Sequence, residues 1–406
     1  MHGFGPRNRS LIVQIVTDFD QSLPQSVLYS TSARIGGVGL DAVAHETLRG
    51  IQRELGLAIA YGNRAPDLDA TKIVSLQWHP VRLLSNLERK YYYNAKKKVV
   101  DRVAVRYLRT STYDLFHGWA GDALHSLRTT KELGIPSLLE IPTWHKHQGR
   151  TIPPQVEEEQ AMANDPIPKR WLNRLIVTRQ DVLEEYELAD LLLVLSQKAE
   201  ETFLFAGIPK EKLFRTSRGV DVERFHPGAK PSRFRALFVG ALIQRKGLHL
   251  LLQAWKKLNL PNSELLLVGH PHPEMQPYLQ ALPESVKLLG FHKKVEELYR
   301  ECSVFIFPSE LEGSAKVTYE AAASGLAQIT TKESGDVVVD GLNGLLIPPQ
   351  DVDSLCSAIL KLYHNPELVR VMGDAGRQRV VEQFTWDHFR ERIRAAYRAA
   401  IALRNS

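Results

Sequence analysis

The chain has 406 residues, of which 44% are apolar, and its formal net charge is +6 at pH 7. This length predicts two or three domains, because single hydrophobic cores seldom grow beyond about 250–300 residues. No apolar stretch approaches the roughly 20 residues of a membrane-spanning helix, and Cys302 and Cys356 form no pairable framework. We therefore expect neither a membrane-spanning nor a disulfide-stabilised protein, and we expect the cytoplasm as its compartment.

The first half alternates strand and helix patterns, which predicts a doubly wound α/β domain. Leu11–Val16 is predicted as a strand, and a Ser-rich loop leads to Gly36-Gly37-x-Gly39. Apolar residues at helical spacing follow from Leu40 to Leu55. The glycine spacing differs from Gly-x-Gly-x-x-Gly, and no acidic residue stands where a dinucleotide ribose needs one, so NAD binding is not predicted.

The positive charge is concentrated in residues 82–109. This segment contains nine Lys or Arg and two acidic residues, so the rest of the chain carries a net charge of about −1. Its apolar residues have helical spacing, and Tyr91, Tyr92 and Tyr93 precede Lys96. Such a helix can lie on an anionic membrane surface, or it can be an ordinary solvated helix that packs by its apolar side. Nucleic-acid binding needs more than one such helix and is not predicted.

Two further strands of this half end near histidines. One is predicted at Tyr113–His117, and the other at Pro136–Ile141, which is followed by Pro142, His145 and His147. The two neighbouring histidines have no third ligand at a useful spacing, so no metal site is predicted. Three Asp-x-Asp pairs occur in unrelated contexts and are attributed to chance: they begin at Asp18, Asp67 and Asp351.

The end of this half is predicted as a proline-rich loop, two helices and a strand. The loop covers residues 149–168, the helices cover residues 172–188 and 198–206, and the strand between them covers residues 190–195. Residues 227–232 are predicted as a linker to a second domain.

The strand–helix alternation restarts in the second half. A strand predicted at Ala236–Val239 is followed by Gly240, by Arg245 and Lys246, and by a helix at Leu248–Leu258. Positive charge at a helix N-terminus is unfavourable unless an anion is bound there, so this pattern favours a diphosphate site. The alternative is a surface Arg-Lys pair.

The stretch from Ser303 to Gly325 predicts a strand at Val304–Phe307, a tight loop and a helix. The loop contains Glu312, Gly313 and Ser314, and the predicted helix carries Glu320. Free amides at the start of the helix favour an anion, and the absence of a Cβ at Gly313 lets a ligand approach the backbone. Glu320 can accept hydrogen bonds from a ribose diol.

The motif Pro-Ser-x-x-Glu-Gly…Glu-Ala-x-Ala-x-Gly, from Pro308 to Gly325, resembles the signature of the family-4 (group 1) retaining glycosyltransferases. That family has the GT-B fold, an α/β fold of two Rossmann-like doubly wound domains that face a central cleft. The resemblance implies an acceptor-side domain over residues 1–228 and a nucleotide-sugar-binding domain over residues 229–384. It also implies that a C-terminal helix, residues 385–406, crosses back to the first domain.

The resemblance implies a retaining, hexosyltransferase-type enzyme that moves a sugar from a nucleotide diphosphate sugar to an acceptor hydroxyl without a metal or a cofactor. The catalytic residues that it implies are Glu312, Lys246 and Arg245. The implied donor-binding residues are Gly37, Gly240, Gly290, Phe291, Gly313, Ser314, Ala315 and Glu320. On the acceptor side the candidates are His117 and His145. Independently of the resemblance, peripheral contact with an anionic membrane stays one of the two open alternatives for residues 82–109.

Three positions depart from the family pattern. Pro142 stands where the family usually has a cleft histidine, Ala241 stands where an arginine usually follows Gly240, and Arg218 replaces an asparagine. The first two departures motivate an alternative, a catalytically inactive donor-binding GT-B protein. A GT-B nucleotide-sugar epimerase is a second alternative, whereas a pyridoxal-dependent phosphorylase is disfavoured because no anchoring lysine is identifiable. The sequence does not identify the donor base, the sugar or the acceptor.

Overall fold

The computed structural model describes residues 23–146, 162, 164–229 and 231–405. The strands of its first half form one seven-stranded parallel sheet: β1 (Val27–Ile35), β2 (Leu55–Asn63), β3 (Ile73–Ser75), β4 (Leu115–Trp119), β5 (Ser137–Glu140), β6 (Leu191–Val194) and β7 (Leu213–Arg215). Their order in the sheet is β3-β2-β1-β4-β5-β6-β7. Because parallel strands need crossover connections, the helices cover both faces of this sheet.

The helices of the first half are α1 (Leu40–Gly50), α2 (Arg89–Thr110), α3 (Leu124–Leu133), α4 (Ile167–Asn173), α5 (Arg179–Leu188) and α6 (Gln197–Phe205). The apolar side of α2 is buried against the domain through Tyr91, Ala95, Val100, Ala104 and Leu108. The basic segment therefore contains a helix that packs by its apolar side, while Arg102, Arg106 and Arg109 are exposed.

The second half forms a six-stranded parallel sheet: β8 (Phe234–Val239), β9 (Ser263–Val268), β10 (Val286–Gly290), β11 (Val304–Phe307), β12 (Ala327–Thr330) and β13 (Gly344–Leu346). The order in this sheet is β10-β9-β8-β11-β12-β13. Its helices are α7 (Leu248–Leu258), α8 (Gln276–Leu279), α9 (Val295–Arg300), α10 (Lys316–Ala323), α11 (Val352–Tyr363) and α12 (Pro366–Gln383). One continuous hydrophobic core joins these elements.

The last helix, α13 (Trp386–Asn405), leaves the second domain and packs on the first. Its buried residues Phe389, Ile393 and Tyr397 join the core that lies between α1 and the first sheet. The chain thus crosses between the domains twice, and the two crossings touch, because the Val220 amide donates to the Phe384 carbonyl oxygen at 2.9 Å.

Two predicted elements of the first half were wrong. β1 lies where the Ser-rich loop was predicted, because Ser30 and Thr31 are completely buried and hide the apolar pattern of a strand. The single helix predicted over residues 172–188 is two helices, because a capping box between Thr178 and Asp181 starts α5 anew. The predicted strand Leu11–Val16, like Asp18 and His147, lies outside the described residues.

Across the described ranges, none of the helices combines the length and apolarity needed to cross a bilayer. In the same ranges, no three His, Cys, Asp or Glu side chains are grouped so that they could hold a metal ion.

Candidate active site

Each sheet has a topological switch point, where neighbouring strands lead the chain toward opposite edges. In the second domain β8 leads to β9 and β10 on one side, and β11 leads to β12 and β13 on the other. In the first domain the corresponding strands are β1 and β4. Ligands of open α/β sheets bind in the crevice beyond the carboxyl ends of such strands. We call the place in the second domain the C-terminal switch point and the place in the first domain the N-terminal switch point.

Two cations lie at the C-terminal switch point. Arg245 and Lys246 occupy a single 3₁₀ turn that leads directly into α7. The Lys246 ammonium packs against Gly240, where a Cβ would lie 3.2 Å from Nζ. The same Nζ lies 5.0 Å from the centroid of the Phe307 ring. The glycine after β8 is therefore what lets this ammonium lie against the backbone at the end of the strand.

The Glu312 carboxylate binds both cations. Its Oε1 is 3.1 Å from Arg245 Nη1 and 3.4 Å from Lys246 Nζ, and Ser309 Oγ donates to it at 3.4 Å. Arg245 also donates to the Leu311 carbonyl oxygen. The three residues proposed as catalytic from the sequence are thus adjacent, and their formal charges sum to +1.

The loop after Glu312 approaches the first domain closely. A Cβ at Gly313 would lie 2.3 Å from the Pro142 carbonyl oxygen. The Ala315 amide donates to the Ser334 carbonyl oxygen at 2.8 Å and is not a free donor. The Gly313 and Ser314 amides have no protein acceptor within the described part of the chain, so they remain available to an anion.

Glu320 lies on α10 behind this loop and is buried. Its Oε1 is 3.1 Å from Lys316 Nζ, and its Oε2 accepts a hydrogen bond from the Tyr299 hydroxyl at 3.2 Å. A carboxylate oxygen accepts more than one hydrogen bond, so both contacts leave lone pairs for ribose hydroxyls.

Gly290 and Phe291 lie at the end of β10, two strands from Lys246. Gly290 has φ +66°, in the left-handed region that favours glycine, and its carbonyl oxygen accepts the Gly269 amide at 2.8 Å. The Phe291 side chain is 67% exposed and lies parallel to the His270 ring, 5.4 Å away between centroids. These two rings present a flat surface at the edge of the second domain.

A cavity of about 190 Å³ separates the two domains at this site. It is lined by Gly39, Leu40, Val43, Pro142, Arg218, Glu312, Gly313, Ser314, Lys316 and Trp386. Gly37 is not in the lining; it lies two residues before Gly39, and a Cβ there would be 3.2 Å from Asp41 Cβ. The glycine loop therefore faces the C-terminal switch point across the cavity through Gly39 and Leu40.

The two candidate histidines lie away from this cavity. His117 is completely buried, its Nδ1 is 3.0 Å from the Tyr397 hydroxyl, and burial lowers its pKa to about 3. His145 is buried between Tyr186 and Phe203. Neither imidazole reaches the cavity in this conformation.

Residues 233–365 match a family model described as "Glycosyl transferases group 1". An uncharacterized glycosyltransferase of Methanocaldococcus jannaschii is 31% identical over 166 residues, which are 40% of this chain and 47% of that protein. The alignments span between 47% and 60% of the length of three curated relatives.

Solved structures extend the similarity to the whole fold. Sucrose-phosphate synthase from Thermosynechococcus elongatus has a TM-score of 0.63 at 20% identity, covering 90% of this chain and 96% of that one. HepE of Anabaena in complex with UDP has a TM-score of 0.63 at 16% identity, covering 91% and 97%. The chain resembles the group 1 glycosyltransferases. Its two-domain Rossmann-like fold is GT-B, and both predictions are confirmed.

Arg218, where the group 1 pattern has asparagine, is a cleft residue that the sequence analysis did not assign to the site. Its side chain is 6% exposed, its Nη1 donates to Glu140 Oε1 at 3.2 Å, and it lines the cavity opposite Glu312. Burial raises the pKa of the Glu140 carboxyl, and the Arg218 guanidinium opposes that rise. In the sequence, only the replacement of asparagine by arginine marked this position as unusual. The ion pair could not be predicted, because Glu140 lies 78 residues from Arg218 in the sequence.

Proposed function

We propose that the protein is a retaining, hexosyltransferase-type glycosyltransferase that moves a sugar from a nucleotide diphosphate sugar to an acceptor hydroxyl. The observation that carries this proposal is the Glu312 carboxylate between Arg245 and Lys246, at 3.1 and 3.4 Å, on the cleft side of the C-terminal switch point. Two cations and one carboxylate suit a substrate that is anionic at its phosphates and becomes cationic at its sugar carbon.

The donor would lie along the ends of the strands of the second domain. Its diphosphate would contact Lys246, Arg245 and the free amides of Gly313 and Ser314. Glu320 would accept hydrogen bonds from the ribose, and the base would lie at the Gly290 turn beside the exposed ring of Phe291. The UDP complex of HepE, which shares this fold, supports a nucleotide-linked donor.

The proposed chemistry uses no metal ion and no cofactor. As the bond from the sugar to the diphosphate breaks, negative charge grows on the phosphate, where the preorganised cations and amides stabilise it. Glu312 stabilises the sugar carbon as it becomes positive. Retention then follows if the acceptor attacks from the side of the leaving phosphate, whose oxygen takes the proton of the acceptor hydroxyl.

We further propose that the enzyme acts in the cytoplasm and contacts an anionic membrane through residues 82–109. The apolar side of α2 is buried, so this contact would use the start of the segment. There Leu83 is 76% exposed, and the Arg82 guanidinium lies 4.7 Å from the centroid of the exposed Trp78 ring. An exposed apolar side chain with neighbouring cations and an aromatic ring suits a membrane interface.

Incubation of the purified full chain with UDP-, GDP- and ADP-sugars tests this function. Slow release of free nucleotide from one donor, faster with a cell-extract acceptor fraction and unaffected by EDTA, is expected, and NMR of the product should show the donor's anomeric configuration. Tight nucleotide binding with no turnover in any fraction would instead indicate a donor-binding protein without activity. Inversion, or loss of turnover with EDTA, would contradict the mechanism.

A further inference from the structure

The N-terminal switch point carries a second group of cations that the proposed donor chemistry does not use. Arg34 is the last but one residue of β1, and its side chain crosses β2 at Gly62, where a Cβ would lie 3.3 Å from Arg34 Cγ. Lys96 and Lys97 reach the same crevice from α2. Side chains of β1 and α2 thus converge where an open α/β sheet binds ligands.

These cations differ in how their charge is compensated. Lys97 Nζ is 3.4 Å from Asp122 Oδ1, in the loop after β4, and the other oxygen of that carboxylate accepts the Ser32 amide at 2.7 Å. Neither Arg34 nor Lys96 has a carboxylate within ion-pair distance among the residues that the structure describes. Within the described ranges, two positive charges of this site therefore have no ion-pair partner.

Lys96 is held in an aromatic cage. Its Nζ lies 4.3 Å from the centroid of Tyr61, 4.5 Å from that of Tyr93 and 5.4 Å from that of Tyr92. Burial lowers the pKa of this lysine, and the nearby Arg34 charge lowers it further, while Tyr93, Asp122 and Asp41 act in the opposite direction. A half-buried ammonium beside an unpaired guanidinium is an unfavourable arrangement that a bound anion would relieve.

This cation site is continuous with the catalytic cleft. The Arg34 amide donates to Asp41 Oδ1 at 3.1 Å, and Asp41 stands in the first turn of α1. The residues just before it, Gly39 and Leu40, line the cavity opposite Glu312. A ligand bound at Arg34 and Lys96 could therefore extend into the cavity past the start of α1.

We propose that the acceptor carries a phosphate group, which Arg34 and Lys96 bind, while its hydroxyl is presented to the cleft past Gly39 and Leu40. This inference rests on the proposed function, since it names the class of acceptor for that reaction. The phosphate belongs either to a free phosphorylated molecule or to a lipid headgroup. Tyr93, which is 43% exposed, forms the aromatic wall against which the rest of the acceptor packs.

Binding measurements that need no turnover test the proposal. Calorimetry on the full chain with saturating UDP would compare inorganic phosphate, glucose 6-phosphate and glucose, and flotation would compare phosphatidylglycerol with phosphatidylcholine vesicles. Binding of at least one phosphate-bearing probe is expected, with affinity reduced about 10- to 100-fold in Arg34→Gln and in Lys96→Met. Affinity for UDP should stay the same in both variants.

Three controls keep the test specific. Arg53→Gln removes an exposed cation of the first domain that lies outside residues 82–109, and this variant should bind every probe like the wild type. Arg34→Lys should recover part of the lost affinity, which a merely structural role would not predict. UDP binding and the melting temperature report whether each variant is folded.

The two sources of the phosphate give different patterns, and both support the site. Variant-sensitive binding of glucose 6-phosphate or inorganic phosphate indicates a free phosphorylated acceptor, and variant-sensitive binding of phosphatidylglycerol vesicles alone indicates a lipid headgroup. If no probe binds Arg34→Gln and Lys96→Met more weakly than the wild type, the proposal is wrong. If anion binding behaves as expected but no donor is turned over, the proposed function fails while the anion site remains.

Discussion

The two switch points of this molecule face the same cleft but differ in how their cationic side chains are paired with carboxylates. At the C-terminal one, Arg245 and Lys246 share the single carboxylate of Glu312. At the N-terminal one, Asp122 pairs with Lys97, while Arg34 and Lys96 are left without a carboxylate within the described residues. The same βα architecture thus produces one site in which a carboxylate contacts both cations and one in which two of the three cations have no such partner.

This difference agrees with the roles that we propose for the two sites, a donor site in the second domain and an acceptor site in the first. A donor site has to release a nucleotide diphosphate after transfer, and an internal carboxylate that competes for the cations weakens product binding. An acceptor anion takes no part in bond breaking, so uncompensated cations there serve only recognition. We therefore expect variants at the C-terminal switch point to reduce the transfer rate, and variants at the N-terminal switch point to reduce acceptor binding.

The largest expected effect comes from the C-terminal side. Lys246→Ala removes a preorganised cation from the leaving diphosphate, so the transfer rate should fall about 10²- to 10³-fold. UDP should bind more weakly, because one charge-assisted contact is lost, while binding of glucose 6-phosphate should be unchanged. Steady-state kinetics and calorimetry measure the three quantities, and Lys256→Ala, an exposed lysine of α7, is the matched control.

Glu312→Gln should distinguish catalysis from UDP binding at the same site. Transfer should fall by a similar factor, but UDP should bind as well as or better than in the wild type, because the carboxylate no longer competes for Arg245 and Lys246. If both variants transfer sugar at the wild-type rate, the C-terminal switch point is not the catalytic site.

A smaller effect on the transfer rate is expected from a substitution where the two domains touch. In Gly313→Ala the new Cβ would lie 2.3 Å from the Pro142 carbonyl oxygen, so the domains must separate locally. A displacement of about 1 Å can cost up to 10²-fold in rate, so we expect a transfer rate reduced about 10- to 100-fold with UDP binding retained.

A matched glycine distinguishes this clash from a general effect of the substitution. In Gly376→Ala the new Cβ on α12 would have its nearest neighbours at an ordinary 3.6 Å, so this variant should keep full activity. Equal activities of the two alanine variants would show that the approach of Gly313 to Pro142 has no part in catalysis.

The smallest effect concerns the histidine at the base of the N-terminal side. Burial holds the pKa of His117 at about 3, below its value of about 6.5 in the unfolded chain. The unfolded chain therefore binds a proton that the folded one does not, and stability present above pH 6.5 is lost as the pH falls toward 3. This group contributes a slope of up to roughly 1.4 kcal/mol per pH unit.

Urea unfolding between pH 7 and pH 5 measures that slope. In His117→Gln the loss of stability on acidification should be smaller than in the wild type, whereas His125→Gln, which changes an exposed histidine, should keep the wild-type slope. Identical slopes in all three proteins would place the His117 pKa near its ordinary value.

The sequence predicted the second domain better than the first. The helix Leu248–Leu258 and the strand Val304–Phe307 have the predicted bounds. The helix lies between Gly247 and Asn259, and the strand is an unbroken apolar run that ends before Pro308. β1 was missed because its centre is the polar pair Ser30 and Thr31, which is buried because β1 lies inside the sheet and the helices α1 and α2 pack against its two faces.

The same limit applies to the sites. Glu312 and Lys246 were each identified in a local motif of one strand, one loop and one helix, and the family resemblance assigned both to one site. Arg34 was not, since its relation to Lys96 depends on β1 being a strand that passes beside β2. Arg218 depends on Glu140 in another strand. Local pattern identifies a site within one βα unit, whereas a site shared by several units needs the sheet order.

The touching crossings between the domains have a mechanical consequence. Val220 and Thr385 form a parallel bridge, and a Cβ at Gly219 would lie 2.3 Å from Trp386 Cε3, so both connections lie side by side at one end of the cleft. Two adjacent tethers resist sliding and twisting of one lobe over the other but permit rotation about the line that joins them. We therefore expect opening and closing to follow a single hinge, with Trp386, which lines the cavity, moving at its axis.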